Sequence, residues 1–430
     1  MRRVYFVSAH FPPSNLAAVH RARLLANHLQ EYGWEAHVLA VEPKYYEEPL
    51  DPQLEALVDP AVQVHRVHAL SQRWTRPFGW GDIGIRAGFH LYRALRDAAR
   101  RRAVDLLHIT IPSNYQALLG RFLWEEHELP YIVDYIDPWA PESEQGARFP
   151  SKAWFSFWLA GWLEPMAVAR VAGLAGVTEG YFAGVIGRNP GLRDVPRLAF
   201  QYGGSRRDFE MAASLGVAGR RVVPDKSAIQ LVYAGALLPK AVSTMKSFLQ
   251  AVAQVNRLPG RKRAIHFLCL GTGRSASDPA AYQVLPLARQ VGAEAWVHEF
   301  PERCPYLEVL STLSASDGIV VVGSSEPHYS PSKIFQAVLA GRPLLALLHH
   351  RSQGAEIIRQ AGAGLVLTFD SDLEGDHLSD QCVQALKSWP PAEAPSVKWD
   401  AFERYEARAM AGRVARFYDD VLVYHRQNAP

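Results

Sequence analysis

Residues 4–41, VYFVSAHFPPSNLAAVHRARLLANHLQEYGWEAHVLAV, contain the pattern that decides the fold. The apolar run at the start predicts a buried strand, and EAHVLAV at the end predicts a second strand. The apolar residues between them share one helical face: Val19, Ala22, Leu25, Ala26 and Leu29. Gly33 suits the position just past the end of that helix. A strand, a helix and a second strand in this order predict two parallel strands joined by a crossover helix.

The same alternation continues along the chain. Further strands are predicted from VDLLHIT, PYIVDYI and VAGLAGVT in the first half, and from AIQLVYAGAL, AIHFLCLG, DGIVVVGS, PLLALL and GLVLTF in the second half. Helical patterns lie between most of these runs. We therefore predict an α/β protein with two doubly wound, Rossmann-like domains, each a parallel sheet with helices on both faces.

Shifts in composition indicate the domain boundaries. A polar, glycine-rich stretch separates the two halves, and the proline-rich SWPPAEAPSV precedes a last long helix. We expect that helix to pack back on the first domain and the two domains to face each other across a cleft. Ligands of such sheets bind outside the carboxyl ends of the strands. The predicted segments are a first domain at 1–205, a linker at 206–228, a second domain at 229–395 and the C-terminal helix at 396–430.

The totals exclude several classes of protein. The 46 basic and 43 acidic residues leave a net charge of +3, which does not predict a nucleic-acid partner. Cys269, Cys304 and Cys382 are too far apart in sequence for a zinc or redox motif, and a reducing cytoplasm suits them. The apolar run after Arg3 is too short for a secretory signal, and no run approaches a membrane span. We expect a cytoplasmic protein, with peripheral contact to the inner face of a membrane left open.

The stretch HYSPSKIFQAVLAGRP, residues 328–343, follows a predicted strand and suggests an anion site. Its helix is predicted to start between Ser330 and Ser332, where free backbone N–H groups attract anions. Lys333 in the first turn is unfavourable for the helix dipole but favourable for a bound phosphate. The alternative is that one of the serines is a simple N-cap and that Lys333 is a solvated surface residue.

Several segments together resemble the family-4 retaining glycosyltransferases of GT-B fold. Pro-Ser-Lys-Ile-Phe with the later Ala-Gly-Arg-Pro resembles their donor-binding helix, and Phe-Pro-Pro with Tyr-Gly-Trp resembles their first loop and helix. Asp134, Asp137, Pro138 and Trp139 resemble an Asp-x-x-Asp-Pro-Trp segment, and GVTEGY and YGGSRRDF resemble later segments. The resemblance covers almost the whole chain. It implies the GT-B fold and sugar transfer from a UDP- or GDP-linked donor, with retention of configuration and no metal or other cofactor.

The resemblance also implies a donor site on the second domain. Lys240 and Lys333 would hold the diphosphate, Gln336 the ribose, and His328 or Glu326 the sugar. The family often has two Glu residues separated by seven others, where this chain has His328 and Gln336, and Ala236 stands where the family favours an Arg. The complete set of predicted donor-binding residues is Gly235, Lys240, Gly271, Gly273, Glu299, Phe300, Tyr329, Ser330, Ser332, Lys333 and Gln336.

The first domain would bind the acceptor. By the same resemblance, Asp137 is the candidate base or orienting group for the acceptor hydroxyl, so the candidate catalytic residues are Asp137, His328 and Glu326. The residues expected on the acceptor side of the cleft are His10, Ser14, Asn15, Arg21 and Trp139. His108, inside a strand pattern, is as compatible with a core position. The nearest candidate metal ligands are Asp51, Asp134 and Asp137, too few for an oxygen-rich cation site, and we expect no metal.

Two aromatic segments, WTRPFGWGDIGIRAGFH and SKAWFSFWLAGWLEP, leave three interpretations open. Their Trp residues could form an interfacial surface beside basic residues that meet anionic lipid headgroups. They could line an apolar acceptor groove, or they could pack inward as helix core. The tryptophans are Trp74, Trp80, Trp154, Trp158 and Trp162, and the basic residues are Arg73, Arg76, Arg86 and Lys152.

The predicted function is therefore transfer of a sugar from a nucleotide-sugar to a hydroxyl of a glycan, a lipid-linked or a small-molecule acceptor. Two alternatives remain. The first is a catalytically degenerate protein that binds a nucleotide-sugar or glycan as a partner subunit, which the replaced Glu pair and Arg favour. The second is an enzyme of the same fold with altered chemistry, such as epimerisation or coupling to nitrogen.

Overall fold

The computed structural model describes residues 1–111, 113–140, 149, 151–220, 227–273, 281–326, 331–370, 375–391 and 395–428. The chain divides into two compact units. Unit 1 contains residues 1–203 and 407–430, and unit 2 contains residues 204–406. None of the helices in the described part is long and apolar enough to cross a membrane.

Unit 1 is built around a parallel sheet in the order β3-β2-β1-β4-β5-β6-β7. The strands are β1 Arg2–Val7, β2 Trp34–Val41, β3 Gln63–Val67, β4 Leu106–Ile111, β5 Tyr131–Tyr135, β6 Gly173–Gly176 and β7 Arg197–Ala199. The helices before residue 203 are α1 Ala17–Ala26, α2 Gln72–Thr75, α3 Ile83–Arg100, α4 Ala117–His127, α5 Lys152–Val168 and α6 Glu179–Arg188. The opening βαβ unit forms as predicted, but α1 ends at Ala26. Gly33, with a left-handed φ of 85°, ends a separate 3-10 turn at Leu29–Tyr32.

Alternate residues of the strands face two separate cores in unit 1. Tyr5 and Val7 pack with residues of α3, α4 and α5 on one face of the sheet. Val4 and Phe6 pack on the other face, with residues of α1 and of the last helix. Both faces are buried because side chains of a strand alternate with a period of two, so a sheet covered on both sides needs continuous apolar runs.

Unit 2 contains a second parallel sheet, in the order β10-β9-β8-β11-β12-β13. Its strands are β8 Ile229–Ala234, β9 Ile265–Leu270, β10 Val297–Phe300, β11 Gly318–Val322, β12 Leu344–His349 and β13 Leu365–Phe369. Its helices are α7 Arg206–Ser214, α8 Val242–Asn256, α9 Leu285–Gln290, α10 Tyr306–Ala315, α11 Lys333–Leu339, α12 Gln353–Ala361, α13 Gly375–Lys387 and α14 Trp399–Phe402. Apolar residues of α8 and α13 cover one face of this sheet.

The last helix, α15 Ala407–Asn428, belongs to unit 1. Its buried residues Val414, Tyr418 and Val421 join the core that contains Val4 and Phe6. Segment 396–406, which we placed with the C-terminal helix, lies in unit 2 and contains α14.

Some elements were not anticipated from the sequence. Strand β3 lies at the edge of the sheet and is mostly exposed, so it lacks the apolar run that signals a buried strand. Helix α7 occupies the start of the predicted linker at 206–228, because it has its own packing partner. Asp208 is buried, and its Oδ2 atom accepts a 3.0 Å hydrogen bond from the Tyr306 hydroxyl of α10.

Candidate functional site

The strand order of unit 2 reverses between β8 and β11, which lie side by side at the centre of the sheet. Successive connections from these two strands run in opposite directions, so the loops at their carboxyl ends separate and leave a crevice. Gly235 follows β8 directly, and Gly323 follows β11. The chain then continues through residues 324–326 and 331–332 to α11, which begins at Lys333.

Lys333 lies at this switch point. Its Nζ atom donates hydrogen bonds of 2.8 Å to the Tyr233 hydroxyl and 3.2 Å to the Ala236 carbonyl oxygen. The same atom lies 4.4 Å from the centre of the Tyr233 ring. Burial lowers the pKa of Lys333 to about 7. Among the described residues no carboxylate pairs with this ammonium group, so its charge is held only by neutral oxygens and a ring face.

Gly235 is required for this position of the lysine. A Cβ atom on residue 235 would lie 2.2 Å from Cε and 2.7 Å from Nζ of Lys333. Gly235 also has a positive φ of 123°, which side chains of L-residues rarely adopt. The glycine therefore lets the Lys333 side chain cross the end of β8.

Lys240 and Glu326 form an ion pair beside this position. The Nζ atom of Lys240 lies 2.8 Å from Oε1 of Glu326, and the Lys240 carbonyl accepts a 3.0 Å hydrogen bond from the Ser325 N–H. The side chains are 61% and 50% exposed. We predicted Lys240 for the diphosphate and Glu326 for the sugar, and the structure places these two groups in contact.

The glycine turn after β9 ties three strands together. Gly271 has a left-handed φ of 65°, and its N–H donates 2.8 Å to the Phe300 carbonyl. Gly273 donates 3.0 Å to the Pro301 carbonyl, and the Thr272 carbonyl accepts from Leu237. Through these hydrogen bonds, both glycines hold neighbouring loops together at the carboxyl edge of the sheet.

The Glu299 carboxylate serves the fold of unit 2. It is buried and accepts a hydrogen bond of 2.5 Å from the Thr272 hydroxyl. It also accepts from the N–H groups of Gln283, Val284 and Leu285, at the start of α9. We predicted a donor contact for this side chain, but its oxygens already satisfy a helix start. Phe300, its neighbour in β10, faces the Arg220 guanidinium at 4.5 Å.

Of the remaining predicted donor residues, the structure describes Ser332 and Gln336. Ser332 precedes α11 and makes no capping hydrogen bond with its side chain. The half-buried side chain of Gln336 makes no hydrogen bond to the described residues. His328, Tyr329 and Ser330 lie outside the described residues.

In unit 1, Arg21 belongs to a buried network and not to a surface. It is fully buried, and its guanidinium donates 2.7 and 2.9 Å to the two carboxylate oxygens of Asp134. His108 Nε2 lies 3.3 Å from Asp134, and its Nδ1 lies 2.7 Å from the Tyr418 hydroxyl. Burial alone would raise the pKa of Asp134, but the Arg21 charge and the hydrogen bonds from His108 and Arg21 hold it well below its usual value. We therefore assign Arg21 a structural role, in place of the predicted position on the acceptor side.

A second polar cluster surrounds Glu48, which the sequence did not single out. His10 Nδ1 lies 2.8 Å from Glu48 Oε1, and the buried Ser14 hydroxyl donates to the same oxygen. Burial would raise the pKa of Glu48, but its bonds to His10 and Ser14 lower it to about 2. Asn15 bonds His20 at 2.8 Å and lies next to this cluster in the chain. His10, Ser14 and Asn15 thus lie together after β1. Their place on the acceptor side stays a prediction.

Asp137 follows β5 and keeps an exposed carboxyl. The surrounding protein removes enough water to raise the pKa of Asp137 above its ordinary value. The neighbouring Trp139 is buried in the core and packs edge-on against the Tyr115 ring at 6.0 Å. Trp139 therefore packs under this loop, and Asp137 is the ionisable member of the predicted segment that remains exposed.

Most of the aromatic residues singled out in the sequence do not pack inward. Trp74, Trp80, Trp158 and Trp162 are between 49% and 79% exposed, which is incompatible with the core interpretation for these four. On α5, the rings of Trp154 and Trp158 stack at 6.5 Å, and those of Trp158 and Trp162 at 6.2 Å. Arg86, proposed for lipid headgroups, is buried and bonds backbone carbonyls and Glu47. The Lys152 side chain lies outside the described residues.

One group in the described part has the composition of a metal site. Ring nitrogens of His349 and His350 and a carboxylate oxygen of Asp370 lie within 4.8 Å of one another. His350 is bonded to Asp370, and both are exposed. Of the metal-ligand candidates named from the sequence, Asp134 is instead paired with Arg21.

One family model matches part of the sequence. Residues 17–191 match a model of the glycosyl transferase 4-like domain. No curated protein sequence matches significantly. The matched region contains α1 to α6 and the Asp134–Asp137 loop of unit 1.

Comparison with solved structures extends over both units. HepE of Anabaena, solved in complex with UDP-glucose, aligns with a TM-score of 0.56 at 15% identity, over 99% of this chain and 98% of that one. A UDP-forming α,α-trehalose-phosphate synthase of Burkholderia xenovorans aligns with a TM-score of 0.56 at 12% identity, over 99% and 98%. The N-terminal domain of trehalose-6-phosphate phosphatase of Candida albicans gives 0.62 at 13% identity, over 99% and 97%. Residues 17–191 therefore contain a glycosyl transferase 4-like domain, and the whole chain shares with these solved structures the GT-B fold of two parallel sheets.

Proposed function

We propose that the chain transfers a sugar from a UDP-linked donor to an acceptor hydroxyl, with retention of configuration and without a metal. HepE was solved with UDP-glucose and with UDP. A further solved structure of similar fold, from Escherichia coli (TM-score 0.55, 12% identity), was solved with UDP-2-fluoro glucose. These ligands support UDP over GDP among the donors implied by the sequence. In the reaction, the bond between the sugar and the β-phosphate breaks and the acceptor oxygen forms the new bond. The nucleoside diphosphate leaves with the bonding electrons and the hydroxyl loses its proton.

The observation that carries this proposal is the position of Lys333. The departing diphosphate gains negative charge, and a fixed cation with no carboxylate partner stabilises that charge most effectively in a site shielded from water. Lys333 lies at the switch point of unit 2 and pairs only with neutral oxygens among the described residues. A diphosphate bound there would restore a full positive charge to an ammonium group whose pKa is about 7.

Lys240 and Glu326 supply the next groups in the proposed site. Because both are about half exposed, their ion pair is weak enough for a ligand to replace it. We propose that Lys240 exchanges Glu326 for a phosphate oxygen, which frees the carboxylate to accept hydrogen bonds from sugar hydroxyls. Gln336, whose side chain is unbonded among the described residues, would take the ribose hydroxyls.

On the acceptor side we propose Asp137 as the group that orients or deprotonates the hydroxyl. A carboxylate with a raised pKa is a stronger base, provided that it is ionised at the working pH. His10 lies after β1 and is hydrogen-bonded to Glu48, which makes it a candidate for holding a polar acceptor.

We further propose that unit 1 contacts a membrane surface peripherally. Trp74 and Trp80 are exposed, and the exposed Arg73 and Arg76 beside them have no side-chain partner among the described residues. Tryptophan and unpaired arginine side by side suit the boundary between anionic headgroups and acyl chains.

The test of the donor site compares Lys333→Ala with Lys387→Ala, which removes an exposed lysine at the end of α13. Thermal unfolding is measured with UDP, GDP and their glucose conjugates, since a ligand at 100 times its dissociation constant adds about 2.7 kcal/mol to stability. UDP should stabilise the wild type and Lys387→Ala, but not Lys333→Ala. Slow release of UDP from UDP-glucose, lost in Lys333→Ala, would support catalysis.

Two results would contradict these proposals. Equal stabilisation of Lys333→Ala by UDP would remove the lysine from the site. Tight UDP-glucose binding with no release of UDP, even with a broad set of acceptors, would favour the non-catalytic partner protein.

A further inference from the structure

A groove lies between α3 and α4 on the helical face of unit 1. It has a volume of about 620 Å³. Its walls are mainly apolar and aromatic, with Phe89 on α3 and Leu118, Leu119 and Phe122 on α4. Phe89 is 71% exposed and Phe122 is 44% exposed, so large rings stand at its mouth with nothing covering them among the described residues.

Gly88 of α3 keeps the groove open. A Cβ atom built on this residue meets no atom within 4 Å, and Gly88 lines the groove. Glycine in the middle of a helix costs stability relative to almost any other residue except proline. A larger side chain at Gly88 would therefore leave the helix intact and would fill part of the groove.

Contacts between the two helices close the groove at both ends. At the first end, the Ser113 hydroxyl donates 2.6 Å to the Asp82 carboxylate. At the other end, the Tyr92 hydroxyl bonds the Glu126 carboxylate. Residues 117 and 126 of α4 are separated by about 14 Å at 1.5 Å per residue, which sets the length of the opening between these contacts.

A buried amide lies at the first end of the groove. Gln116 lines it and is 1% exposed, and neither its Oε1 nor its Nε2 atom has a hydrogen-bond partner among the residues that the structure describes. Buried amides are almost always hydrogen-bonded, because a buried amide without a partner has lost its hydrogen bonds to water and gained none in return. The amide can both donate and accept, so it suits a hydroxyl, an ester or a phosphate oxygen.

A neighbouring helix of unit 1 has an exposed apolar face. Helix α5, which packs on α4, exposes Phe155, Trp158, Trp162 and Met166 at helical spacing. The charged side chain described within α5 is Glu164, and it is buried in an ion pair with Arg188. A helix face of this kind without charge is unusual in contact with water and suits the interfacial region of a bilayer.

The polar end of the groove lies on the side of the proposed acceptor residue. Gln116 follows β4 and Asp137 follows β5, which is the adjacent strand, so both lie at the carboxyl edge of the same sheet. Tyr115, next to Gln116, packs against Trp139, next but one to Asp137. A molecule with its chain in the groove would therefore present its polar end near Asp137.

We propose that this groove binds the hydrocarbon chain of a lipid-linked acceptor, with the first polar group of that lipid at the Gln116 amide. This inference rests on the proposed transferase function and names its acceptor class. A chain of lipid fits a narrow, apolar opening of this length better than a polar glycan, which would leave its hydroxyls unpaired against Phe89, Leu118 and Phe122.

The test uses dodecyl phosphate, below its micelle concentration, and inorganic phosphate as probes in isothermal titration calorimetry on the full chain. Gly88→Leu fills the groove, and Gly187→Leu makes the same change on α6, where a Cβ also meets no atom within 4 Å. Wild type and Gly187→Leu should bind dodecyl phosphate but not inorganic phosphate. Gly88→Leu should bind it at least tenfold more weakly.

Gln116→Met gives a second readout, because it keeps the length of the side chain and removes the unpaired amide. We expect a more stable free protein that binds dodecyl phosphate about tenfold more weakly, for the loss of one hydrogen bond. A purely structural amide would give lower stability and unchanged binding.

The outcomes separate this inference from the donor site. UDP should stabilise Gly88→Leu as it does the wild type, and Lys333→Ala should still bind dodecyl phosphate. Failure of the wild type to bind dodecyl phosphate, or equal binding by Gly88→Leu, would overturn the groove assignment whatever the UDP result. A change in oligomeric state in Gly88→Leu, with no binding of the probe by the wild type, would assign the groove to a second copy of the chain.

Discussion

The Nζ atom of Lys333 donates a 2.8 Å hydrogen bond to the Tyr233 hydroxyl, across 100 residues of sequence. This contact brings the first residue of α11 over the end of β8, at the point where the strand order of unit 2 reverses. An ammonium group held there by neutral oxygens is available to an anion. The predictions for unit 2 depend on this arrangement.

Gly235→Ala should weaken UDP binding and destabilise the protein, because the added methyl group would overlap the Lys333 side chain. Gly260→Ala is the matched control, since Gly260 has a positive φ of 79° but no atom within 4 Å of its Cβ position. We expect Gly235→Ala to be about 1–3 kcal/mol less stable than Gly260→Ala, the usual cost of overpacking. Equal urea midpoints for the two variants would show that Lys333 moves aside freely.

The stability of the protein should rise with pH through the range in which Lys333 titrates. Burial lowers the pKa of this lysine from 10.5 to about 7 in the folded state. Between these values the unfolded chain binds more protons than the folded one, so the free energy of unfolding increases as pH rises from about 7 toward 10.5. Lys333→Met should lack this increase, measured as the difference between the two proteins in urea unfolding across that range. Parallel curves would mean that Lys333 keeps an ordinary pKa.

Removing the ion pair between Lys240 and Glu326 should affect ligand binding more than stability. Lys240→Met and Glu326→Gln are each expected within about 1 kcal/mol of the wild type, because both groups are exposed. Lys240→Met should weaken UDP binding, whereas Glu326→Gln should leave it unchanged or strengthen it, since it frees Lys240. Turnover of UDP-glucose should nevertheless fall in Glu326→Gln if the carboxylate contacts the sugar. Weaker UDP binding in both variants would point to a purely structural pair.

Arg21→Met should destabilise unit 1 by about 3–5 kcal/mol, because it leaves the buried Asp134 carboxylate without its main partner. The double variant Arg21→Met with Asp134→Leu should recover part of that loss. In the wild type the lowered pKa of Asp134 contributes stability that is present above the pKa of the unfolded chain and is lost as pH falls below it. Urea unfolding between pH 7 and acid should show this loss, and a single variant as stable as wild type would refute the network.

The double variant Trp158→Ser with Trp162→Ser should reduce binding to lipid vesicles. Vesicles of phosphatidylcholine with phosphatidylglycerol are sedimented with the full chain, and Tyr282→Ser, an exposed aromatic of unit 2, is the control. We expect at least a tenfold loss, since about 1.5 kcal/mol for one large apolar side chain already corresponds to tenfold. Arg73→Gln with Arg76→Gln should remove the preference for the anionic lipid. Retained sedimentation in the tryptophan variant would remove the α5 face from the membrane contact.

The sequence by itself determined the two parallel sheets, and residues 17–191 carry the pattern of a glycosyl transferase 4-like domain. Apolar runs, helical spacing and Gly33 are local signals, because each depends on residues a few positions apart. The same dependence on nearby residues explains why β3 and α7 were not predicted. Edge strand β3 lacks an apolar run, and α7 is recognised as helix only through its contact with α10.

Only the tertiary structure decided which polar residues remain available for chemistry. Arg21 and Glu299 occur in positions that suggested ligand contacts, but partners distant in sequence bury them, Asp134 at 113 residues and Thr272 at 27. Lys333 and Gln116 have the opposite property. Among the described residues, Lys333 bonds only neutral oxygens and has no carboxylate partner, and the Gln116 amide has no hydrogen-bond partner. Burial and partnership are sums over neighbours from the whole fold, and no short stretch of sequence contains them.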